Sequence, residues 1–278
     1  MIINNNILKV ESLTKSYVRN IINVRGESED ERFYIIDDIN LFIPRGKITA
    51  LIGGNGAGKT TLFNIISGFL PPDSGKIFFK KDDNQYSLIG KNTHKITRLG
   101  IGRMFQDSHI FPDMTVLENM FIADENNFGE NPLHALFRLK KIQTQEQERL
   151  NKVKEIFAEL FGIQNDLWEK REYLAGTLSH GQQRLLGLAR LFMGKYDLVL
   201  LDEPTAGVNP GVIKKIMQII KKMVKAKGIT VFLIEHNMKV VQELSEFCSF
   251  MSHGKIAAFG YTQDIIGNTD VRRTYLGV

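Results

Sequence analysis

Residues 47–67 read KITALIGGNGAGKTTLFNIIS, and the reading of this stretch decides the fold. Lys47–Ile52 is a short apolar run of strand character, and Thr60–Ser67 has helical spacing, ended by Gly68 and Pro71-Pro72. Between them stands Gly53-x-x-x-x-Gly58-Lys59-Thr60. A glycine-rich turn from strand to helix is the setting in which a loop grips phosphate. The glycines remove Cβ atoms from the way, so that the backbone N–H groups of Gly53, Gly54, Asn55, Gly56, Ala57 and Gly58 can converge on phosphate oxygens. The positive end of the following helix adds to the attraction. Lys59 is expected to reach the β- and γ-phosphates, Thr60 to offer its hydroxyl to Mg²⁺, and Thr61 to hold the α-phosphate. The bland alternative is a Gly-rich turn that binds nothing.

Outward from this loop the pattern alternates. Upstream, Ile7–Leu13 and Ile39–Ile43 read as strands around a polar stretch, Arg19–Arg32, expected to be a hairpin tip or mobile loop. Gly75–Phe79 is a further strand candidate. From about Met114 to Gly176 the spacing turns helical, with Leu150, Val153, Phe157 and Leu160 on one apolar stripe. Strand Leu198–Leu201, helix Gly211–Lys227 and strand Ile229–Ile234 then resume the alternation. This is the pattern of an α/β chain with a mainly parallel sheet covered on both faces, preceded by an antiparallel β portion and interrupted by a helical subdomain. We expect one domain over residues 1–278, its α/β core at about 1–105 and 195–278 and the helical subdomain at about 106–194.

Composition narrows the function classes. The 278 residues are 43% hydrophobic and 24% charged, as in ordinary globular proteins. The net charge of +5 is spread along the chain, and its densest stretch, Lys214 to Lys227, reads as the wet face of one helix, so no nucleic-acid partner is expected. Cys248 is the single cysteine, which excludes an internal disulfide and fits a reducing compartment. The start MIINNNILKVE lacks a basic-then-apolar signal pattern, and no apolar run approaches the roughly 20 residues that span a bilayer. Any membrane role is therefore expected to run through a partner.

Four further sites can serve the phosphate loop. Asp202 and Glu203 follow an apolar run, so they emerge at a strand's carboxyl end, where α/β sheets bind ligands. Asp202 is placed for Mg²⁺, directly or through water, and Glu203 for polarising an attacking water as general base. Two acids after a strand are otherwise an ordinary solvated turn. His236 closes the next strand; it can contact the γ-phosphate, although a lone histidine there is more often structural. Gln106 follows Gly102–Phe105 and can meet Mg²⁺ or water with its amide. Leu178-Ser179-His180-Gly181-Gln182-Gln183 precedes the helical run Arg184–Met193 and, seen alone, is a serine N-cap at a helix start.

The order of these sites, from about Ile7 to the C-terminus, resembles the ATP-binding cassette family of ATPases. The runs GRMFQDSHIFPDMTVLENM, LSHGQQRLLGLARLF, LDEPTAGVNP, LIEHNMKVV and DVRRTYLG look like ATPase subunits of branched-chain amino acid importers, and urea-type importers share much of the pattern. The stretch Pro132–Lys141 resembles an insertion in one of the two ATPase types of those importers. The resemblance implies ATP and Mg²⁺ as ligands and a second ATPase subunit, the same or different, packed head to tail. It also implies that Ser179, Gly181 and Gln182 complete the partner's ATP site, and that Tyr17 stacks on adenine, with Phe33 and Tyr34 as rivals. Permease subunits in the membrane would be met near Gln106 and Asp107–Asn119, with a substrate-binding protein an indirect partner and the chain peripheral on the cytoplasmic face. His180 stands where the commonest family form has glycine; two further departures are Gly54 for proline and Asn209 where many cassettes have aspartate, although the resembled subfamily commonly has asparagine there. Other cargoes (urea, a lipid, lipopolysaccharide) and a non-transport cassette ATPase are the alternatives.

Overall fold

The computed structural model describes residues 5–22, 28–106, 110–124, 139–271 and 273. The chain divides into two compact units: one of Met1–Arg103, Tyr196–Pro204 and Ile220–Val278, the other of Met104–Lys195 and Thr205–Ile219.

Unit 1 holds two sheets. In the six-stranded sheet, β3 (Ile48–Ile52), β6 (Ile101–Met104), β7 (Leu198–Asp202), β8 (Thr230–Ile234), β9 (Phe247–Ser252) and β10 (Lys255–Tyr261) stand in the order β10-β9-β3-β8-β7-β6. β3, β7 and β8 are buried at every position, which is why they read as unbroken apolar runs rather than as alternation. β3 runs parallel to β8 and β9, and β7 parallel to β8, while β9 and β10 form an antiparallel hairpin. Register fixes the site: Ile234 of β8 pairs with Leu51 of β3 on one side and Asp202 of β7 on the other. The carboxyl ends of the three strands therefore finish level, and the residues after them share one edge of the sheet. The helix Lys59–Ile66 covers this sheet with Phe63, whose ring centroid lies 4.9 Å from that of Phe232.

The second sheet, in the order β2-β1-β4-β5, comprises β1 (Asn6–Ile22), β2 (Ser28–Pro44), β4 (Ser74–Lys81) and β5 (Asn84–Ser87), with every pair antiparallel. The polar stretch Arg19–Arg32, expected as a hairpin tip or mobile loop, forms the end of the β1–β2 hairpin. Pairing continues through Arg19↔Glu31 to Ile22↔Ser28, with Arg19 and Glu31 2.6 Å apart, and only 23–27 lie outside the described residues. The backbone ladder runs along this ribbon with the exposed Arg19–Glu31 ion pair across it, and no apolar alternation advertises it.

In unit 2, Thr115 and Glu118 cap the helix Val116–Ile122 reciprocally. The long helix Leu139–Phe161 turns Val153 and Phe157 inward, fully buried, and the Phe157 ring meets Trp168 edge-on at 6.4 Å. Along the helical pattern expected to Gly176, the chain leaves helix after Asp166–Glu169 for an irregular stretch in which Thr115 and Leu174 form an isolated bridge, and a short 3₁₀ turn follows at Ala175–Thr177. The helix expected at Arg184–Met193 starts earlier and spans His180–Leu191. Of the resembled insertion, 132–138 lie outside the described residues, as do 107–109 of the expected permease-facing segment and most of DVRRTYLG.

Candidate functional site

The phosphate loop is shaped by contacts that only glycine permits. A Cβ on Gly53 would lie 2.2 Å from the Met251 carbonyl oxygen, and one on Gly58 would lie 2.5 Å from that of Ile35. Gly58 also holds φ at 102° in the left-handed region as N-cap of the helix Lys59–Ile66. That helix start has no side-chain cap and no acid in its first turn. Its first N–H groups are thus left to a ligand. Nothing lies within 4 Å of a Cβ built on Gly54, so the loop has space where proline is usual.

Lys59 is buried, and its amine donates to the carbonyl oxygens of Gly53 at 2.8 Å and Gly54 at 2.9 Å. Burial lowers its pKa, while the charges of Glu203 and Asp202 raise it. The lysine thus belongs to one electrostatic cluster with the two acids. Thr60 is exposed one residue along.

Asp202 ends β7 and is 1% exposed. Its Oδ2 lies 3.5 Å from Arg103, while its buried Oδ1 has no hydrogen-bond partner among the described residues. Burial pushes the carboxyl above the usual carboxylate range, and Arg103 beside it pulls the other way. An orphaned, buried, hard oxygen is costly unless something occupies it, and a small divalent cation such as Mg²⁺ fits that donor. Among the described residues no group of three or more His, Cys, Asp or Glu forms a metal cage. Mg²⁺ sites built from one or two protein oxygens plus substrate phosphates need no such cage.

Glu203 follows immediately, in the left-handed region with φ 48°, its N–H donating to the Ile234 carbonyl at 3.0 Å. Such backbone strain in a non-glycine residue persists only where the surroundings over-determine it. Its Oε1 lies 2.8 Å from Nε2 of His236. The neighbouring Glu235, 2% exposed, accepts the N–H groups of His236 at 3.1 Å and Asn237 at 3.3 Å on Oε2. Unit 1 therefore brings the loop, Asp202, Glu203 and His236 to one sheet edge, an arrangement that can hold a polyphosphate, a cation and a water together.

Tyr17 also lies in unit 1, on the β1–β2 ribbon. It pairs directly with Phe33, the rings stacked 6.1 Å apart, and Lys15 and Arg19 flank them on the same face. Tyr34 pairs with Ser16 on the opposite face.

The remaining predicted residues lie in unit 2. Gln106 is exposed just after β6. Ser179 caps the helix His180–Leu191 in a closed box: its Oγ accepts the Gln182 N–H, and Gln182 Oε1 accepts the Ser179 N–H. Gly181 has a packing reason, because a Cβ there would lie 2.9 Å from Val212 Cγ2. His180 is exposed, its Cε1 3.4 Å from a Cβ built on Gly207. Asn209 caps the helix Pro210–Lys227, accepting the Val212 N–H at 3.1 Å.

Sequence reasoning passed over Arg103 and Glu235. Arg103 donates to Ser67 Oγ at 2.6 Å as well as meeting Asp202, so it ties the end of the phosphate-loop helix to β7. Each had a signal in being the one charge within or directly after an apolar strand.

Comparison with known proteins identifies the family. Residues 36–206 match the family model described as ABC transporter. The chain is 35% identical to the high-affinity branched-chain amino acid transport ATP-binding protein BraF of Pseudomonas aeruginosa, over 87% of this chain and 91% of that one. It is 36% identical to the probable branched-chain amino acid transport ATP-binding protein LivG of Methanocaldococcus jannaschii, over 90% of each. Among solved structures, the ADP conformation of an ATP-binding cassette of an ABC transporter superposes with a TM-score of 0.76 at 32% identity, covering 98% of this chain and 99% of that one. A match over more than half of the chain, with relatives this similar over nearly their whole length, makes it a member of the ABC transporter family, carrying that family's ATP-binding and ATP-hydrolysing cassette.

Proposed function

We propose that this chain hydrolyses MgATP to drive a membrane importer of branched-chain amino acids. The observation that carries the cargo is the likeness, at 35–36% identity over most of both chains, to proteins named for branched-chain amino acid transport. Lys59 and the uncapped helix start at Gly58 hold the phosphates, Tyr17 with Phe33 offers the adenine a stacking face, and Thr60, Asp202 and Gln106 hold Mg²⁺. The cation neutralises phosphate charge when bound. Glu203 takes the proton of the attacking water, and His236 keeps that carboxylate and the water in register. The two side chains lie 2.8 Å apart.

The chain works as a single domain with an α/β core at about 1–105 and 195–278 and a helical subdomain at about 106–194. It pairs with a second cassette, whose ATP is completed by Ser179, Gly181 and Gln182 of this one. ATP contacting both partners favours the closed pair, because differential affinity is what shifts an equilibrium. Permease subunits receive that motion in the membrane; among the described residues no helix is long and apolar enough to cross it. Reconstitution with the neighbouring membrane subunits in vesicles tests the reading. ATP-dependent leucine or valine uptake is expected, and uptake of urea alone, or of neither, would falsify the cargo assignment.

A further inference from the structure

The buried Glu235 lies outside the set of groups that meet phosphate, cation or water, yet its position is tied to that set. β8 stops at Ile234, whose carbonyl is taken by the N–H of Glu203 at 3.0 Å. The chain then turns, and the next N–H groups, those of His236 and Asn237, have left the strand ladder. Glu235 folds its own carboxylate back over both, at 3.1 Å and 3.3 Å on one oxygen. Asn237 then caps the helix Met238–Leu244 through Lys239 and Val240. The backbone of His236 is thereby clamped between a strand end, a buried carboxylate and a capped helix, while its Nε2 reaches Glu203 at 2.8 Å. Glu203 in turn hangs from the same strand end at a left-handed φ of 48°. The two sides of the pair share one anchor, Ile234, and Glu235 supplies what keeps His236 at a fixed distance from it.

We infer that Glu235 is a positioning residue for hydrolysis: it accepts the N–H groups of the turn so that the His236 imidazole stays against the Glu203 carboxylate. The inference rests on the reading of Glu203 and His236 given above. The Glu235 carboxylate is buried, and both N–H groups it accepts belong to the turn that carries His236. A charge-assisted acceptor for backbone N–H groups is about twice as strong as a neutral one, and what it secures is the geometry of the side chain that follows. The role needs an acceptor at that place rather than a proton carrier, so the amide of glutamine retains much of it.

Three variants of the full chain test this: Glu235→Ala, Glu235→Gln and His236→Ala. Glu235→Ala is expected to lower kcat about tenfold to a hundredfold, the scale of an ångström-sized misplacement, with KM for ATP unchanged. Glu235→Gln is expected to restore most of that loss. In histidine-labelled protein, the long-range ¹H–¹⁵N spectrum of the His236 ring should shift in Glu235→Ala and return in Glu235→Gln. If Glu235→Ala does not fold, Glu235→Met, which keeps the volume and loses the acceptor, takes its place with the same expectations. A wild-type ring spectrum together with wild-type kcat in the acceptor-less variant overturns the inference alone. Wild-type turnover in His236→Ala overturns the parent reading of His236 and the inference with it.

Discussion

The helix Lys59–Ile66 begins at Gly58 with no side chain on its first N–H groups, whereas the helix His180–Leu191 begins inside a closed box between Ser179 and Gln182. Both starts are candidate anion sites, but they are finished in opposite ways. An Ncap side chain stabilises a helix by about 1 kcal/mol, and the first helix forgoes this. What compensates it is internal: Lys59 ties back to the carbonyls of Gly53 and Gly54, and Phe63 is packed against Phe232. Its N–H groups stay available to a ligand that arrives within the same unit. In the second helix one first-turn N–H, that of Gln182, is already taken by a side chain. Ser179 Oγ accepts from the Gln182 N–H, and a hydroxyl that accepts one bond still has a hydrogen to donate. The box is therefore compatible with binding a phosphate oxygen from a partner's site. The open start suits a residue set that binds by itself, and the closed one suits a surface that waits.

The variant with the largest expected effect is at the acid after β7, which shares a sheet edge with the open start. Glu203→Gln should retain ATP while turnover falls by about 10²–10⁴, the range for a lost general base. Size-exclusion chromatography with ATP should then show a dimer. Normal turnover would remove Glu203 from the chemistry. Next, Lys59→Ala should weaken ATP binding by roughly tenfold to a hundredfold, since a charge-assisted bond contributes about 1.5–3 kcal/mol. Calorimetry showing undiminished affinity would mean that the bare helix start suffices.

Ser179→Ala probes the closed start. Loss of the cap should cost about 1 kcal/mol of stability, and the ATP-induced dimer should weaken although each monomer still binds ATP. A dimer unchanged by this variant would reduce Ser179 to a cap. Smallest of all is Gly54→Ala: nothing lies within 4 Å of its Cβ, so stability should stay within about 0.5 kcal/mol. Gly58→Ala, by contrast, would press a Cβ to 2.5 Å from the Ile35 carbonyl and should melt clearly earlier. Equal melting of the two would show that the loop relaxes more easily than its contacts imply.

Legibility followed the range of the interactions. The strand, loop and helix around Gly53–Thr61 could be read because each element there is specified by its own neighbours: an apolar run, glycines, a helical period. Ser179 was readable as a cap for the same reason. The length of the ribbon through Arg19–Arg32 was not, because the pairing from Arg19↔Glu31 to Ile22↔Ser28 is set across the strands, with no apolar alternation along either one. Nor was the packing of Gly181 on Val212, which looks in sequence like any glycine after a cap. Which of Tyr17, Phe33 and Tyr34 share a face needed the register, which places the first two on one side and the third on the other.

The sequence by itself determined which chemical groups this protein carries and in what order: a phosphate loop, an exposed amide, a capped helix, two acids and a histidine. Those are properties of side chains and of short backbone stretches, and they do not depend on what folds against them. Tertiary structure alone decided which groups meet. Pairing of β3, β7 and β8 to a common level sets Asp202, Glu203 and His236 at the edge that carries the phosphate loop. The open start at Gly58 gained its meaning there too, since Met251 and Ile35 come from distant strands to crowd out every residue larger than glycine. Contacts between residues far apart in the chain cost loop entropy and are set by the whole core, so no local stretch of sequence records them.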